Sequence, residues 1–398
     1  MKPLSETGRL VADSPTLAMG ARLKKLKSEG KTVYDFTVGQ PDFDTPEHIK
    51  QAAIEALKKG ETGYTPAAGM PDLKKAIAAK FKKENGIDYS PDQIFVSNGA
   101  KHTLYHVFQM LAGPGDEVII PAPYWVSYSE QVQMAGGTSV LVKAGSEQGF
   151  RVTAAQIEAA ITNRTKALLV NSPSNPTGAV YTEQELRDIC ELAVSRGIYI
   201  VSDEIYEHFI YGGQKAVSPA AFGPAYKDAV ITVNGVSKTY AMTGWRIGYA
   251  AGPVNVIRQA GFAQSNATGC PCSISQRAAQ AAILGDQTCV ANMVAEFDKR
   301  RIYMTERLNA MKVFSCDPPA GAFYCFPRCD ALYGKRIGGV MVENSTALCE
   351  ALLDKAGVGC VQGGPFGADE CIRFSYATGM ETIRKGMDAV EALVKGTA

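Results

Sequence analysis

Short apolar runs recur along the first two thirds of the chain, at Ile94 to Val96, Glu117 to Ile120, Ser139 to Val142, Ala167 to Val170, Tyr199 to Val201, Val230 to Val233 and Ile247 to Ala250. Several are separated by stretches of helical periodicity. Strands alternating with helices predict an α/β fold with a mainly parallel, doubly wound sheet of seven strands. The helices are signposted as well. Thr153-x-x-Gln156 and Thr182-x-x-Glu185 are capping boxes, the second followed by Leu186, Ile189 and Ala193 on one face. Pro46 and Pro71 fit the first turns of two earlier helices. After about residue 290 the pattern changes to a long helical stretch through Arg301 and Leu308, then Gly-rich turns and short strands near Phe323 and Ile372. The organisation expected is a large domain over 49–290 and a smaller α/β lobe built from both chain ends, 16–48 and 291–398, with residues 1–15 as an N-terminal arm.

Composition adds limits rather than chemistry. At 398 residues, 46% hydrophobic and 20% charged, the chain is globular and long enough for two units of structure. The 41 Lys and Arg balance 40 Asp and Glu, so no global field draws it to nucleic acid or to an anionic membrane, and an anionic ligand must be caught locally. Met1 to Leu10 carries charges and lacks a secretory apolar run, and no uncharged stretch reaches bilayer length, so a cytoplasmic location is expected. The ten cysteines are dispersed and read as reduced thiols. Cys270-Pro-Cys272, Cys325-x-x-x-Cys329 and His102-x-x-x-His106 lack a third ligand at a usual spacing, and no metal is expected.

In an open α/β sheet, ligands bind outside the carboxyl ends of the strands. The residues just after the apolar runs form one chemical set. Ser97-Asn98-Gly99-Ala100-Lys101 opens a helical pattern, and small residues there leave N–H groups free for a phosphate. Pro123-Tyr124-Trp125 offers an aromatic plate, Asn175-Pro176-Thr177-Gly178 a turn, Asp203 and Tyr206 an acid and a phenol, and Ser237-Lys238 an amine with Arg246 eight positions on. Pyridoxal 5'-phosphate (PLP) needs this inventory: an amine to form an imine, a carboxylate for the pyridine nitrogen, a flat ring to stack, and donors for the phosphate. Taken singly, Asp203 reads as a helix cap, Trp125 as core, Arg373 as a surface ion pair and the Asn-Pro-Thr-Gly run as a turn.

Further motifs join the set: Gly39-Gln40-Pro41-Asp42-Phe43, Tyr64-Thr65-Pro66-x-x-Gly69, Gly244-Trp245-Arg246-Ile247-Gly248-Tyr249 and Arg373-Phe374-Ser375. With them the chain resembles the class I, fold type I PLP-dependent aminotransferases along nearly its whole length, and is most similar to their bacterial-type aspartate aminotransferase branch. The resemblance implies that Lys238 holds the cofactor as a Schiff base and shuttles the substrate proton, with Asp203 on the pyridine nitrogen. It implies that Tyr206 and Asn175 bond the ring oxygen and that Trp125 stacks on the ring. Gly99, Ala100, Ser237, Arg246 and, from a second subunit, Tyr64 would bind the phosphate. Arg373 would clamp the substrate carboxylate beside Gly39, and Lys101 would meet a distal carboxylate as well as lying near the cofactor. Gly235 and Ala100 depart from parts of the family, which implies altered phosphate contacts.

The expected activity is therefore transamination (EC 2.6.1 type) between amino acids and 2-oxo acids, aspartate with 2-oxoglutarate first, by a homodimer. Prephenate, aromatic or alanine transamination, or β-lyase chemistry, are the alternatives on the same fold. A PLP-sensing DNA-binding protein would need an extra basic region, for which a resemblance starting near residue 10 leaves no room. A dinucleotide-binding enzyme would need a G-x-G-x-x-G after an early strand, which is missing.

Overall fold

The computed structural model describes residues 15–395. All seven apolar runs lie in one sheet: β1 Ile94–Ser97, β2 Glu117–Ala122, β3 Thr138–Lys143, β4 Thr165–Asn171, β5 Tyr199–Asp203, β6 Val230–Gly235 and β7 Gly248–Ala251. Their spatial order is β1-β7-β6-β5-β4-β2-β3. Strands β2 to β6 pair in parallel, and β7 runs antiparallel between β1 and β6. The runs are continuously apolar because both faces are covered. Ile94, Val96, Ile119, Leu168, Val170 and Ile200 enter one core, and Phe95, Val118, Ile120, Leu169, Val201 and Ile231 enter the other. Helices Pro71–Lys80 and Glu183–Ser195 bring Leu73, Ile77, Leu186 and Ile189 to the first, and Ala100–Leu111 brings Leu104, Val107 and Phe108 to the second.

The helix starts follow local chemistry. Thr153 and Thr182 accept from the N–H groups of Gln156 and Glu185, whose side chains reach back to the cap backbone, each box contributing about 1 kcal/mol. Pro71 is the first residue of its helix, and Pro46 stands one residue ahead of Glu47–Lys58.

A third core gathers both ends of the chain. Met19, Leu23 and Phe36 pack with Phe297, Met304, Leu308, Phe323, Phe374 and Met387. Three short strands, β8 Tyr324–Cys325, β9 Val361–Gln362 and β10 Ile372–Ser375, form an antiparallel sheet in the order β9-β10-β8. The pair Tyr34–Asp35 adds in parallel to Val358–Gly359, tying the N-terminal segment to this lobe. The chain leaving β5 also belongs to it: Ile205, Tyr206, Phe209 and Tyr211 are buried in the same core. The carboxyl end of β5 is thus the seam between the sheet and the second lobe. The expected N-terminal arm, all but Pro15, lies outside the described residues. Among the described residues no helix is long and apolar enough to cross a membrane, and all ten cysteines are free thiols.

Candidate active site

Strand register assembles the site. Asn171 at the end of β4 pairs with Asp203 at the end of β5, and Asp203 with Val233 of β6. Gly235 of β6 and Ser97 of β1 both pair with Gly248, the first residue of β7. The turns that follow these ends therefore meet on one edge of the sheet. Gly248 is required there, since a Cβ on it would lie 2.1 Å from the backbone nitrogen of Ala100. Gly235 is hemmed in at the same crossing, where a Cβ would come within 3.0 Å of the Ile247 carbonyl and 3.1 Å of the Gly248 Cα, so a side chain there would require the crossing to give by a few tenths of an ångström.

The edge opens into a cavity of about 320 Å³ lined by Gly39, Ala100, Lys101, Trp125, Asn175, Asp203, Tyr206, Ser237, Lys238, Arg246 and Arg373. These eleven were singled out from sequence; Leu104, Ser127, Tyr128 and Tyr324 also line the cavity and were not. Two other candidates fall outside the lining. Gly99 stands behind it as the residue before helix Ala100–Leu111, with φ 93°, and any Cβ there would collide with the Arg246 guanidinium. Tyr64 is fully exposed and takes no part in the lining of its own chain's cavity.

Charge is the cavity's main property. Four cations, Lys101, Lys238, Arg246 and Arg373, face one acid, Asp203, among the described lining residues. None of the five forms a salt bridge among the described residues. Arg246, held in the left-handed region at φ 56°, donates to the carbonyls of Thr243 and Asn98. Arg373 is 2% exposed; one terminal nitrogen donates to Asn175 Oδ1 at 2.8 Å, the other to the Thr37 carbonyl at 2.9 Å, and its Nε is buried with no partner. Lys238 donates to the Gly39 carbonyl. Burial, reinforced by Arg246 and Arg373 and opposed by Asp203, lowers its pKa to about 8. The Lys101 ammonium lies 4.8 Å from the centre of the Trp125 ring, and burial and Arg246 lower its pKa.

Asp203 is 3% exposed, and burial raises its pKa to about 6 against the opposing pull of two donors and Lys238. The donors are the Tyr128 hydroxyl at 2.7 Å and the Ile205 N–H at 3.1 Å. Tyr128 was missed from sequence. Its signal was its place three residues after Trp125, against whose ring it packs edge-on at 5.3 Å. Tyr324 was missed too; it lines the cavity and meets the Tyr206 hydroxyl at 2.9 Å.

A second polar cluster lies behind the cavity. Glu84, Glu207 and His208 come within metal-binding distance of one another, but the Lys80 ammonium already sits on Glu207 and 3.6 Å from Glu84. Glu207 also accepts from Asn234, and His208 meets Thr239 at 3.1 Å. This network ties the residues after Tyr206 to those flanking Lys238.

The cavity's donor set fits PLP. A buried carboxylate without a cationic partner suits a protonated pyridine nitrogen, and the unpaired cations at a helix start suit a phosphate dianion. Comparison with known proteins agrees. Residues 31–390 match the model of the family described as aminotransferase class I and II. The chain is 46% identical to the aspartate/prephenate aminotransferase of Cereibacter sphaeroides over 99% of both chains. It superposes on the crystal structure of the Rhizobium meliloti aspartate aminotransferase with a TM-score of 0.95 and 43% identity, covering 99% of each chain. It superposes on the Thermus thermophilus aspartate aminotransferase, solved with maleate, with a TM-score of 0.93 and 40% identity, covering 99% of this chain and 100% of that one.

Proposed function

The chain belongs to the class I and II aminotransferases, which are PLP-dependent, and from that premise we propose that it transfers the amino group of aspartate or glutamate to a 2-oxo acid such as 2-oxoglutarate or oxaloacetate. The observation that carries this reading is the cavity's excess of cations. Arg246 with the Ala100 turn accounts for a phosphate and Arg373 for an α-carboxylate, and Lys101 is left over.

Bound PLP supplies a carbonyl carbon for an amine and a protonated ring that withdraws electrons. The protein's part follows from its geometry. With burial and two arginines lowering its pKa to about 8, the Lys238 amine gives up its proton more readily than an ordinary lysine and would supply the nucleophile that holds the cofactor. Once released, the same amine is placed to take the proton from the substrate α-carbon and return it. Asp203, kept ionised by Tyr128 and Ile205, would hold the proton on the pyridine nitrogen. Trp125 would cover the ring, Asn175 and Tyr206 would bond its oxygen, and the N–H groups after Gly99 with Ser237 and Arg246 would hold the phosphate. Arg373 would grip the α-carboxylate beside Gly39, the orphaned Nε and its neighbours giving the two-pronged geometry that lysine lacks. The lobe formed by 16–48 and 291–398 would carry Arg373 against the domain 49–290 that carries Lys238.

Lys101 would meet the distal carboxylate. A charge pair of this kind in a closed site is worth a few kcal/mol. Lys101→Ala is expected to raise KM for aspartate and glutamate about ten-fold or more, with alanine and phenylalanine nearly unaffected. A substrate panel checks this, with prephenate among the acceptors because a relative is named for it. Equal losses on all substrates, or a wild type that prefers alanine, would remove the dicarboxylate reading and leave the transaminase.

The working unit is proposed to be a homodimer. Tyr64 is fully exposed, and Leu57, Phe262 and Leu284 are apolar side chains left more than half in solvent. In the dimer Tyr64 would reach the neighbouring subunit's phosphate. Sedimentation should give a dimer, and Tyr64→Phe should weaken PLP binding about ten-fold. A fully active monomer would take Tyr64 out of the site.

A further inference from the structure

We propose that Tyr324 is a positioning residue that joins the substrate-carboxylate arginine to the cofactor-facing phenol: its hydroxyl sets the direction of the Tyr206 proton and its ring is the floor on which Arg373 lies. The inference rests on the reading of Arg373 and Tyr206 given above and goes beyond it in naming what couples them.

Tyr324 belongs to β8 of the second lobe, where it pairs with Ser375, two residues from Arg373. It is completely buried, yet it lines the cavity. Its ring lies under the Arg373 guanidinium, 4.4 Å from ring centre to Cζ, a cation–π contact in a desolvated place. With Asn175 and Thr37 holding the two terminal nitrogens, this ring restrains the out-of-plane movement that those in-plane hydrogen bonds leave free. At its other end the hydroxyl is 2.9 Å from that of Tyr206, which follows β5 of the sheet. The same hydroxyl also abuts Gly39, where a Cβ would come within 3.3 Å of it. Three separate parts of the chain thus converge on one phenol.

Two hydroxyls in contact share one hydrogen bond, and either can donate it. When Tyr206 turns its proton to an acceptor in the cavity, its oxygen becomes free to accept, and Tyr324 is the donor at hand. Burial pushes both phenols up and Arg373 acts on both in the opposite sense, but its guanidinium lies on the Tyr324 ring itself. A cation on that ring draws electrons from it and favours Tyr324 as the donor. A donor into Tyr206 polarises its O–H and strengthens the bond it makes in turn. A substrate carboxylate on Arg373 would weaken the first link, so the two ends of the cavity respond to each other.

The test uses the PLP-loaded enzyme, three single variants and one double variant, reading the pH midpoint of the visible absorption of bound PLP alongside kcat and KM. Tyr206 donating to the ring oxygen favours that oxygen's anionic form, so weaker donation lets the chromophore keep its proton to higher pH. Tyr324→Phe, which keeps the ring, is expected to raise the midpoint by about half a unit and lower kcat a few-fold with KM within about two-fold. Tyr324→Leu is expected to add a rise in KM of about ten-fold, alike for aspartate, alanine and phenylalanine, since all share the α-carboxylate. Tyr206→Phe should raise the midpoint further, and adding Tyr324→Phe to it should change nothing more. A midpoint that moves in Tyr206→Phe and stays still in Tyr324→Phe overturns the proposal alone. One that stays still in both overturns it together with the role of Tyr206. Equal KM in Tyr324→Phe and Tyr324→Leu overturns the support of Arg373.

Discussion

Lys238→Ala is expected to lower turnover by about 10⁴-fold or more while leaving the fold and the phosphate cradle in place. The lysine carries two roles that no neighbour can assume: the amine that bonds the cofactor and the base that moves the α-proton. Lys101, the other lysine lining the cavity, lies over Trp125 rather than beside Gly39, and the guanidinium groups of Arg246 and Arg373 cannot stand in for an amine. Removing the side chain also removes its contact with the Gly39 carbonyl, which loosens that segment without unfolding it. Borohydride reduction of the wild type followed by peptide mass spectrometry should place the pyridoxyl group on the peptide containing Lys238, and the variant should carry no label. PLP capture by the apoenzyme should quicken as pH rises and level off above about 8, where burial and the two arginines have set the amine's pKa. A label on another lysine would end the central assignment.

How far the site could be read from sequence depended on how local its causes are. The strands were legible because parallel strands covered on both faces are continuously apolar, and each run appears as a sheet strand to within a few residues. Lys238, Asp203, Asn175 and Gly99 were legible because each stands at or just beyond the carboxyl end of such a strand, where ligands collect whatever the register. Tyr324 was not. Its strand has two residues, too few for alternation to say which of Phe323, Tyr324 or Cys325 faces the cavity, and its partners Tyr206 and Gly39 are far away in sequence. Tyr128 was not legible either: it lies in the first turn of helix Ser127–Met134, where a buried aromatic residue is ordinarily core. Its hydroxyl ends on Asp203, 75 residues further along the chain, a contact that no local pattern encodes. The role of Gly248 likewise depends on how closely β7 passes the Ala100 turn, a distance no local pattern encodes.

Asp203→Asn separates function from stability, because the same carboxylate serves one and burdens the other. Its pKa stands at about 6 against an ordinary 3.8, with burial as the cause, so folding without cofactor makes the carboxyl harder to ionise than it is in the unfolded chain. The sign follows from linkage: a group whose folded pKa is raised favours the fold below its unfolded value and loses that contribution as pH climbs to the folded one. Between about pH 4 and pH 6 the charged form is progressively imposed, and above that window ionised Asp203 costs the apoenzyme on the order of 3 kcal/mol. Asparagine fills the same space: its carbonyl oxygen can still accept from the Ile205 N–H, while its NH2 faces the Tyr128 hydroxyl, whose oxygen can accept in turn. Thermal melts of the two apoenzymes should therefore lie together near pH 4 and diverge as pH rises to 6, the variant melting higher, with a constant gap beyond. Turnover should move the other way. A neutral amide cannot hold a proton on the pyridine nitrogen, and losing a preorganised charge in a dry site costs about 10³-fold. PLP should still bind through its phosphate and Lys238, but it should stabilise the wild type more than the variant, since only the wild type has a buried charge for the ring to neutralise. Melts that coincide at every pH would mean Asp203 carries no burial cost. Turnover near that of the wild type would remove it from the chemistry.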